Sequence, residues 1–276
     1  MKFTKVEGLG NHFILLDLLT DHTIKPKLNT KKINALCNPY FGIGGDGILL
    51  VQSVNKTDKT TSKSDKKVLY EMVVYNSDGS LAEMCGNGLR CVVHYLNQHY
   101  QFLTEEEPTK RILTGAGFLE VSQKTSSSSK HKLIGVLMGW PEIEEQIMIH
   151  HHEFCKYSYG NPHLVTFDEA HFKDKERLAP DWSLLVKGGI NLSFAKLLDQ
   201  TSIQLFVHER GCGWTQACGT GACATVFHGY KNGLFKIGQT ITVYLPGGAL
   251  EIEITPQGLL MWGPANEVFH GVCVLD

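Results

Sequence analysis

The sequence predicts an α+β protein, of the broad α/β class, made of two related halves, and three observations carry that prediction. Short strand-like segments outnumber helical ones. The run Cys85-Gly86-Asn87-Gly88 returns as Cys218-Gly219-Thr220-Gly221, so one chain carries the same cysteine-opened, glycine-rich turn twice. Two polar stretches without apolar periodicity, residues 55–67 and 122–132, fall where surface connections are expected. With 276 residues and 42% hydrophobic content, the chain is long enough for two modest domains, each with its own core.

The elements follow in order. Residues 30–36 carry helical periodicity. Gly42-Ile43-Gly44-Gly45-Asp46-Gly47 satisfies a dinucleotide-binding glycine pattern, but Ile48-Leu49-Leu50-Val51 behind it is strand-like. No helix follows to receive a pyrophosphate, so these glycines are read as a turn bordering a substrate cleft. Strands are expected at 68–75, 111–121, 132–138, 203–208, 240–245 and 250–254, and helices at 89–97, within 181–199, and at 222–230.

The balance of 26 basic and 28 acidic residues, a net charge of -2, argues against nucleic acid or an anionic membrane as partner. A small molecule is the expected one. No run approaches the roughly 18 apolar residues of a membrane span, and the charges at the N-terminus have no apolar stretch behind them, so a cytoplasmic protein is expected. The eight cysteines are too sparse for a disulfide scaffold and are read as reduced thiols. Cys91 and Cys223 lack zinc-site spacing and are read as buried structural thiols, and His150-His151-His152 as a solvated surface segment; no metal is expected.

The repeat extends beyond the two turns. Aligning Cys85 on Cys218 sets Asn76 on Glu209, Ser77 on Arg210 and Glu83 on Gln216, each behind a strand-like stretch. Gly10-Asn11-His12-Phe13 is echoed by Gly160-Asn161-Pro162-His163. Two motifs repeated in order imply two halves about a pseudo-two-fold axis with an active cleft between them. The halves divide near Gly117, as residues 1–117, rejoined by 264–276, and residues 118–263.

Each motif cysteine precedes a predicted helix, where backbone N–H groups and the macrodipole favour anions and can bring a thiol into ionisation near neutral pH. Two such groups on opposite faces of one carbon can invert a stereocentre, one removing a proton as thiolate and the other delivering one as thiol. Two thiolates would repel and leave no donor, so the pair should share one dissociable proton. The carbanion needs N–H donors aimed at the substrate carboxylate, which the helix starts at Gly86-Asn87 and Gly219-Thr220 can supply. Neither metal nor electron-sink cofactor is then required.

Gly8-Leu9-Gly10-Asn11, Tyr75-Asn76-Ser77-Asp78-Gly79-Ser80, Met84-Cys85-Gly86-Asn87-Gly88-Leu89-Arg90-Cys91, Gly160-Asn161-Pro162-His163, Glu209-Arg210-Gly211 and Ala217-Cys218-Gly219-Thr220-Gly221-Ala222 together resemble the diaminopimelate epimerase family from end to end. The resemblance implies two pseudo-symmetric domains, each a strongly curved, mostly antiparallel sheet around a central helix. It implies a pyridoxal-independent, usually dimeric enzyme that interconverts LL- and meso-2,6-diaminopimelate for lysine and peptidoglycan synthesis. It makes Cys85 and Cys218 the two-base pair, with His163 and Glu209 flanking and tuning the thiols. Asn11, Asn76, Asn161, Asn191, Glu209 and Arg210 would line the substrate site, and the backbone of Gly86, Asn87, Gly219 and Thr220 would hold the reacting carboxylate. The chain departs from the family pattern where His12 replaces an acidic residue and Gly47 replaces the glutamine of some members.

Three other readings compete. Proline and hydroxyproline racemases share the two-thiol logic, but a monoamino acid needs no second recognition set, whereas Asn11, Asn76, Asn161, Glu209 and Arg210 supply one. A cysteine-dependent hydrolase with Cys218 as nucleophile and His163 as base leaves the Cys85 motif unexplained. A binding protein of the same fold would need neither thiol.

Overall fold

The computed structural model of the protein describes residues 1–23, 28–54, 70–125 and 132–274. The chain forms two compact units, Met1–Val136 with Pro264–Asp276, and Leu137–Gly263. In chain order the first elements are β1 (Lys2–Gly8), β2 (Asn11–Asp17), α1 (Thr30–Cys37), β3 (Gly47–Ser53), β4 (Tyr70–Asn76), β5 (Leu81–Ala82), α2 (Gly86–Tyr100), β6 (Thr109–Thr114), β7 (Gly117–Thr125) and β8 (Lys132–Gly139). They are followed by β9 (Glu142–Ile149), β10 (His152–Ser158), β11 (Pro162–Thr166), α3 (Glu169–Lys173), α4 (Lys175–Leu185), β12 (Asn191–Asp199) and β13 (Ser202–Glu209). The last are β14 (Gly213–Trp214), α5 (Gly219–Lys231), β15 (Thr240–Leu245), β16 (Gly248–Thr255), β17 (Gly258–Gly263) and β18 (Asn266–Val272).

The same pairing sequence occurs in each unit. In the first, β1 lies antiparallel to β18 and to β2, β2 parallel to β3, β3 antiparallel to β4, and β4 parallel to β6. β6, β7 and β8 continue antiparallel. In the second, β10 lies antiparallel to β9 and β11, β11 parallel to β12, β12 antiparallel to β13, and β13 parallel to β15. β15, β16 and β17 again continue antiparallel. A parallel neighbour requires a crossover, and helices fill those crossovers in both units: α1 and α2 in one, α3 with α4 and α5 in the other. The architecture is therefore α+β, mostly antiparallel, and internally repeated.

The apolar runs of the sequence follow from burial on both sheet faces. Ile14 and Leu16 of β2 and Ile48 and Leu50 of β3 pack with Ile33 and Leu36 of α1. Strand alternation turns Phe13, Leu15 and Leu49 to the other face, where α2 lies, and all three are buried. In the second unit Leu192 and Phe194 of β12 pack with Ala179 and Trp182 of α4, leaving Asn191 and Ser193 on the face turned to α5. Each long helix thus covers a sheet face whose outer rows are apolar and whose strand ends carry the polar motifs.

Several sequence expectations change. The stretch 111–121 is not one strand but the β6–β7 hairpin, in which Thr114 pairs with Gly117 across the two-residue turn Gly115-Ala116 and Gly117 takes a positive φ. The unit boundary accordingly falls between Val136 and Leu137, not at Gly117, since Gly117 opens β7 and β7 pairs onward with β8. Of the stretch 181–199 expected to hold a helix, residues 181–185 are the end of α4, which starts at Lys175; α3 precedes it, capped at Asp168, whose side chain accepts from the N–H groups of Ala170 and His171. Residues 191–199 are strand, because they pair with both β11 and β13. The polar stretch 55–67 lies outside the described residues. Of 122–132, residues 122–125 belong to β7 and Lys132 opens β8, while 126–131 lie outside the described residues. His150 and His151 form a two-residue hairpin turn, both with positive φ, between the paired Ile149 and His152. All three histidines of that run are exposed.

Candidate functional site

In the first unit Leu9 and Gly10, both at positive φ, make the tight turn that delivers Asn11 to the first position of β2. Asn76 is the last residue of β4, held by a turn in which its N–H donates to the Ser80 carbonyl at 2.9 Å and its Nδ2 to Ser80 Oγ at 3.0 Å. Gly47 sits opposite Asn76 in the β3–β4 ladder, and a Cβ there would collide with the Tyr75 carbonyl oxygen. A glutamine at position 47 would therefore need the strand pair to open. The glycine-rich turn leads into β3 rather than into a helix, and its Asp46 ties the neighbouring segments together. The Asp46 carboxylate accepts from Asn11 Nδ2 and from the His12 N–H, both at 2.8 Å, and its carbonyl accepts from the Ser77 N–H at 3.1 Å.

Cys85 is the N-cap residue of α2 itself, so the helix begins three residues earlier than its periodicity predicts. Its backbone is extended and its sulfur accepts from the Gly88 N–H at 3.4 Å. Asn11 Oδ1 lies 3.9 Å from the half-buried Cys85 Sγ and accepts from Asn87 Nδ2 at 3.3 Å. Asn87 Oδ1 in turn accepts from Arg90 at 2.9 Å, and Arg90, fully buried, also donates to the Pro264 carbonyl at 3.3 Å. At this helix start the N–H groups of Gly86 and Asn87 precede the first intrahelical partners, the geometry that receives anions. Lys5, nearly buried, donates to the Gly44 carbonyl and stands 3.1 Å from His12 Nδ1.

The second unit repeats the arrangement with different polar residues. Cys218 is the N-cap residue of α5 and is 5% exposed. Glu209, aligned with Asn76 by the repeat, is likewise the last residue of its strand, and accepts from Thr215 Oγ1 at 2.6 Å. Asn191 Oδ1 accepts from the Arg210 N–H at 2.8 Å, and the Arg210 guanidinium donates to the Gly188 carbonyl at 3.1 Å. Asn161 and His163 meet at Thr220: Asn161 Nδ2 donates to Thr220 Oγ1 at 3.2 Å, and His163 Nε2 lies 3.0 Å from the same oxygen and 3.2 Å from Asn161 Oδ1. Thr220 Oγ1 is 3.5 Å from Cys218 Sγ.

Protonation in this cluster follows from its chemistry. Burial lowers His163 to about 3, so its ring is neutral. Asn161 Oδ1 can only accept, which places the ring proton on Nε2. With its oxygen receiving from Asn161 and His163, the Thr220 hydroxyl directs its own proton to the Cys218 sulfur. His163 therefore reaches Cys218 through Thr220 and not by direct contact.

The Cys218 thiol departs from the expectation of ionisation near neutral pH. Burial pushes it well above the ordinary thiol value, the Glu209 carboxylate adds to that push, and the Thr220 hydroxyl opposes it. The helix N-terminus does not overcome desolvation for a sulfur this enclosed. Cys91 and Cys223 are fully buried, and burial pushes the Cys91 thiol up. Among the described residues no group of three or more His, Cys, Asp or Glu side chains could hold a metal ion, and no helix is long and apolar enough to cross a membrane.

Asp46, Arg90 and Thr220's hydroxyl role were not singled out by residue type alone. Asp46 is the acidic residue of the glycine-rich turn 42–47, and Arg90 lies in the motif that runs from Met84 to Cys91. A charged residue placed among glycines or at a helix start was the available signal.

The family model described as "Diaminopimelate epimerase" matches residues 3–143 and 154–268. The chain is 34% identical over 293 residues to the diaminopimelate epimerase of Leptospira biflexa, covering 98% of each protein. It is 34% identical over 303 residues to that of Halothermothrix orenii, covering 100% of this chain and 99% of the relative. Among solved structures, a probable proline racemase from Agrobacterium radiobacter superposes with a TM-score of 0.68 at 12% identity, covering 100% of this chain and 93% of that one. A predicted epimerase from Pseudomonas aeruginosa superposes with a TM-score of 0.69 at 11% identity, covering 99% of both chains. At these identities the solved structures share the fold.

Proposed function

Since the chain belongs to the diaminopimelate epimerase family, we propose that it is an isomerase interconverting LL- and meso-2,6-diaminopimelate by proton transfer at one α-carbon. The reading rests on one observation above all: each unit ends a strand, turns, and opens its long helix with a cysteine as N-cap, Cys85 in α2 and Cys218 in α5. One cysteine removes the α-proton and the other delivers a proton to the opposite face. Inversion requires that the two differ in protonation at the start of each turnover.

The environments of the two sulfurs support that division. Cys218 holds its proton, being buried beside the Glu209 carboxylate. Cys85, half-buried and receiving the Gly88 N–H, is the base in the direction that begins from this state. In the reverse direction Cys218 must lose its proton, and the Thr220 hydroxyl then stabilises the thiolate. His163 and Asn161 act by holding that hydroxyl in place. The developing negative charge on the substrate carboxylate is met by the helix-start N–H groups of Gly86 and Asn87 and of Gly219 and Thr220, where removal of one such donor typically costs about 3 kcal/mol of barrier. Thiols and N–H donors cover abstraction, delivery and charge stabilisation, which supports a pyridoxal-phosphate-independent mechanism.

Recognition of a substrate with a second amine and carboxylate falls to Asn11, Asn76, Asn161, Asn191, Glu209 and Arg210. Arg210 is suited to a carboxylate, and Glu209 with the asparagine oxygens to ammonium groups. Membership of the family further supports a homodimeric, cytoplasmic enzyme of lysine and peptidoglycan precursor synthesis. The repeated architecture supports the split into two epimerase halves, with residues 264–276 completing the N-terminal one.

The test is incubation of reduced protein with LL-diaminopimelate in D2O, following α-deuterium and the meso isomer, with proline in parallel. Deuterium entering diaminopimelate with inversion, and none entering proline, is the expected result. Turnover of proline would move the reading to the racemases, and exchange in neither would end it.

A further inference from the structure

The amides of Asn11 and Asn87 beside Cys85 are held between two charges of opposite sign. An asparagine amide has ends of nearly equal size, one accepting and one donating, so which end meets a neighbour is decided by its other partners. The Asp46 carboxylate can only accept, and it takes Asn11 Nδ2 at 2.8 Å. The Arg90 guanidinium can only donate, and it takes Asn87 Oδ1 at 2.9 Å. The ends left over then face each other correctly, Asn87 Nδ2 to Asn11 Oδ1 at 3.3 Å. As a result an oxygen, rather than an NH2 group, stands 3.9 Å from Cys85 Sγ.

We propose that Asp46, with Arg90 acting from the opposite end of the chain of amides, is a positioning residue for Cys85. It fixes the Asn11 amide so that its acceptor oxygen meets the sulfur. The proposal rests on Cys85 being one of the two acid/base groups, and it adds a device the two thiol motifs do not contain. The sulfur receives the Gly88 N–H and faces the acceptor Asn11 Oδ1. That pairing suits a group that must hold a proton in one half of the reaction and release it in the other. An inverted Asn11 would offer donors on both sides and favour the thiolate throughout. It would also turn the wrong end of Asn11 toward a bound substrate. Lys5 supports the arrangement through its bonds to Gly44, within the turn carrying Asp46, and to His12, whose N–H donates to Asp46.

The test is the rate of Cys85 alkylation by iodoacetamide across pH 6 to 9, mapped by mass spectrometry, in the parent protein, Asp46→Asn, Asn11→Ala and the double variant. Asparagine at 46 can accept or donate, so only the longer Asn87 contact, at 3.3 Å, still orients the Asn11 amide. A thiol pKa lower by about one unit gives about tenfold more thiolate at pH 7, of which reduced nucleophilicity takes back about threefold, leaving a net rise of about threefold. That rise is expected in Asp46→Asn. In the Asn11→Ala background the same substitution should add nothing, because the group it positions is gone. An alkylation profile that superimposes on the parent's, or one that moves equally with and without Asn11, overturns the proposal. The Asp46 side chain is half-exposed, and a thermal melt of each variant checks that the fold persists. Steady-state kinetics on diaminopimelate should show kcat/KM lower by about tenfold for Asp46→Asn, as for a mispaired polar contact. If the parent does not turn over diaminopimelate, the epimerase reading fails, yet the alkylation comparison still decides the role of Asp46.

Discussion

Replacing Thr220 by valine removes one hydroxyl and almost nothing else, and that hydroxyl joins Asn161, His163 and Cys218 at 3.2, 3.0 and 3.5 Å. Its proton is directed to a sulfur that burial and Glu209 already hold against ionisation. Loss of a hydrogen bond to a charged group is worth about 1.5 to 3 kcal/mol, so turnover should fall by about 10- to 150-fold. Because the equilibrium constant between the stereoisomers does not depend on the enzyme, kcat/KM must fall by the same factor from either isomer. Asn161 Nδ2 also loses its acceptor, for a stability cost of about 1 to 2 kcal/mol, equivalent to a Tm lower by roughly 2 to 8 °C. The assay is deuterium wash-in from each isomer together with a thermal melt. Thr220→Ser keeps the hydroxyl and should stay within about threefold of the parent. A folded Thr220→Val protein with unchanged kcat/KM, or a serine variant as impaired as the valine one, would refute the derived direction of the hydroxyl proton.

Other expectations follow from the same geometry. Cys85→Ala or Cys218→Ala should lose turnover by orders of magnitude, whereas Cys91→Ala or Cys223→Ala, at buried helix positions, should cost about 1 to 2 kcal/mol of stability and little activity; comparable catalytic losses at all four would sink the assignment. Iodoacetamide at neutral pH should label Cys85 before Cys218, since Cys218 is enclosed and held protonated; the reverse order in peptide mapping would contradict the division of roles. His163 is buried neutral with its folded value near 3 against about 6.5 unfolded, so the unfolded chain takes up the proton first and stability is lost as pH falls below about 6.5, by about 3 kcal/mol at pH 4. Tm against pH should show that fall, and His163→Gln should flatten part of it; His94, His171, His208 and His228, which burial also shifts downward, contribute to the remainder. Gly47→Gln should open the β3–β4 ladder beside Asn76 and lower stability by about 2 kcal/mol or more; an unchanged melt would show that the strands separate without cost.

The repeat, the two cysteines at helix starts and the strand that follows the glycine-rich turn are legible in the chain before it folds. These depend on local pattern: the echo of Cys85 in Cys218, the run Ile48 to Val51, and the periodicity behind each motif all act over a few residues. Strand ends were legible for the same reason, since Asn76 and Glu209 close the strands that precede their motifs. Tertiary structure decided what depends on distant neighbours. Pairing of residues 191–199 with two other strands overrode a helical reading, and the onward pairing of β7 moved the unit boundary from Gly117 to Val136. It also decided the state of Cys218, because desolvation and the Glu209 carboxylate outweigh the local helix field that the sequence announces. The grip of Asp46 on Asn11, 35 residues away, belongs to the same class. A hydrogen bond of that span leaves no periodic trace, and only the folded chain brings its two ends together.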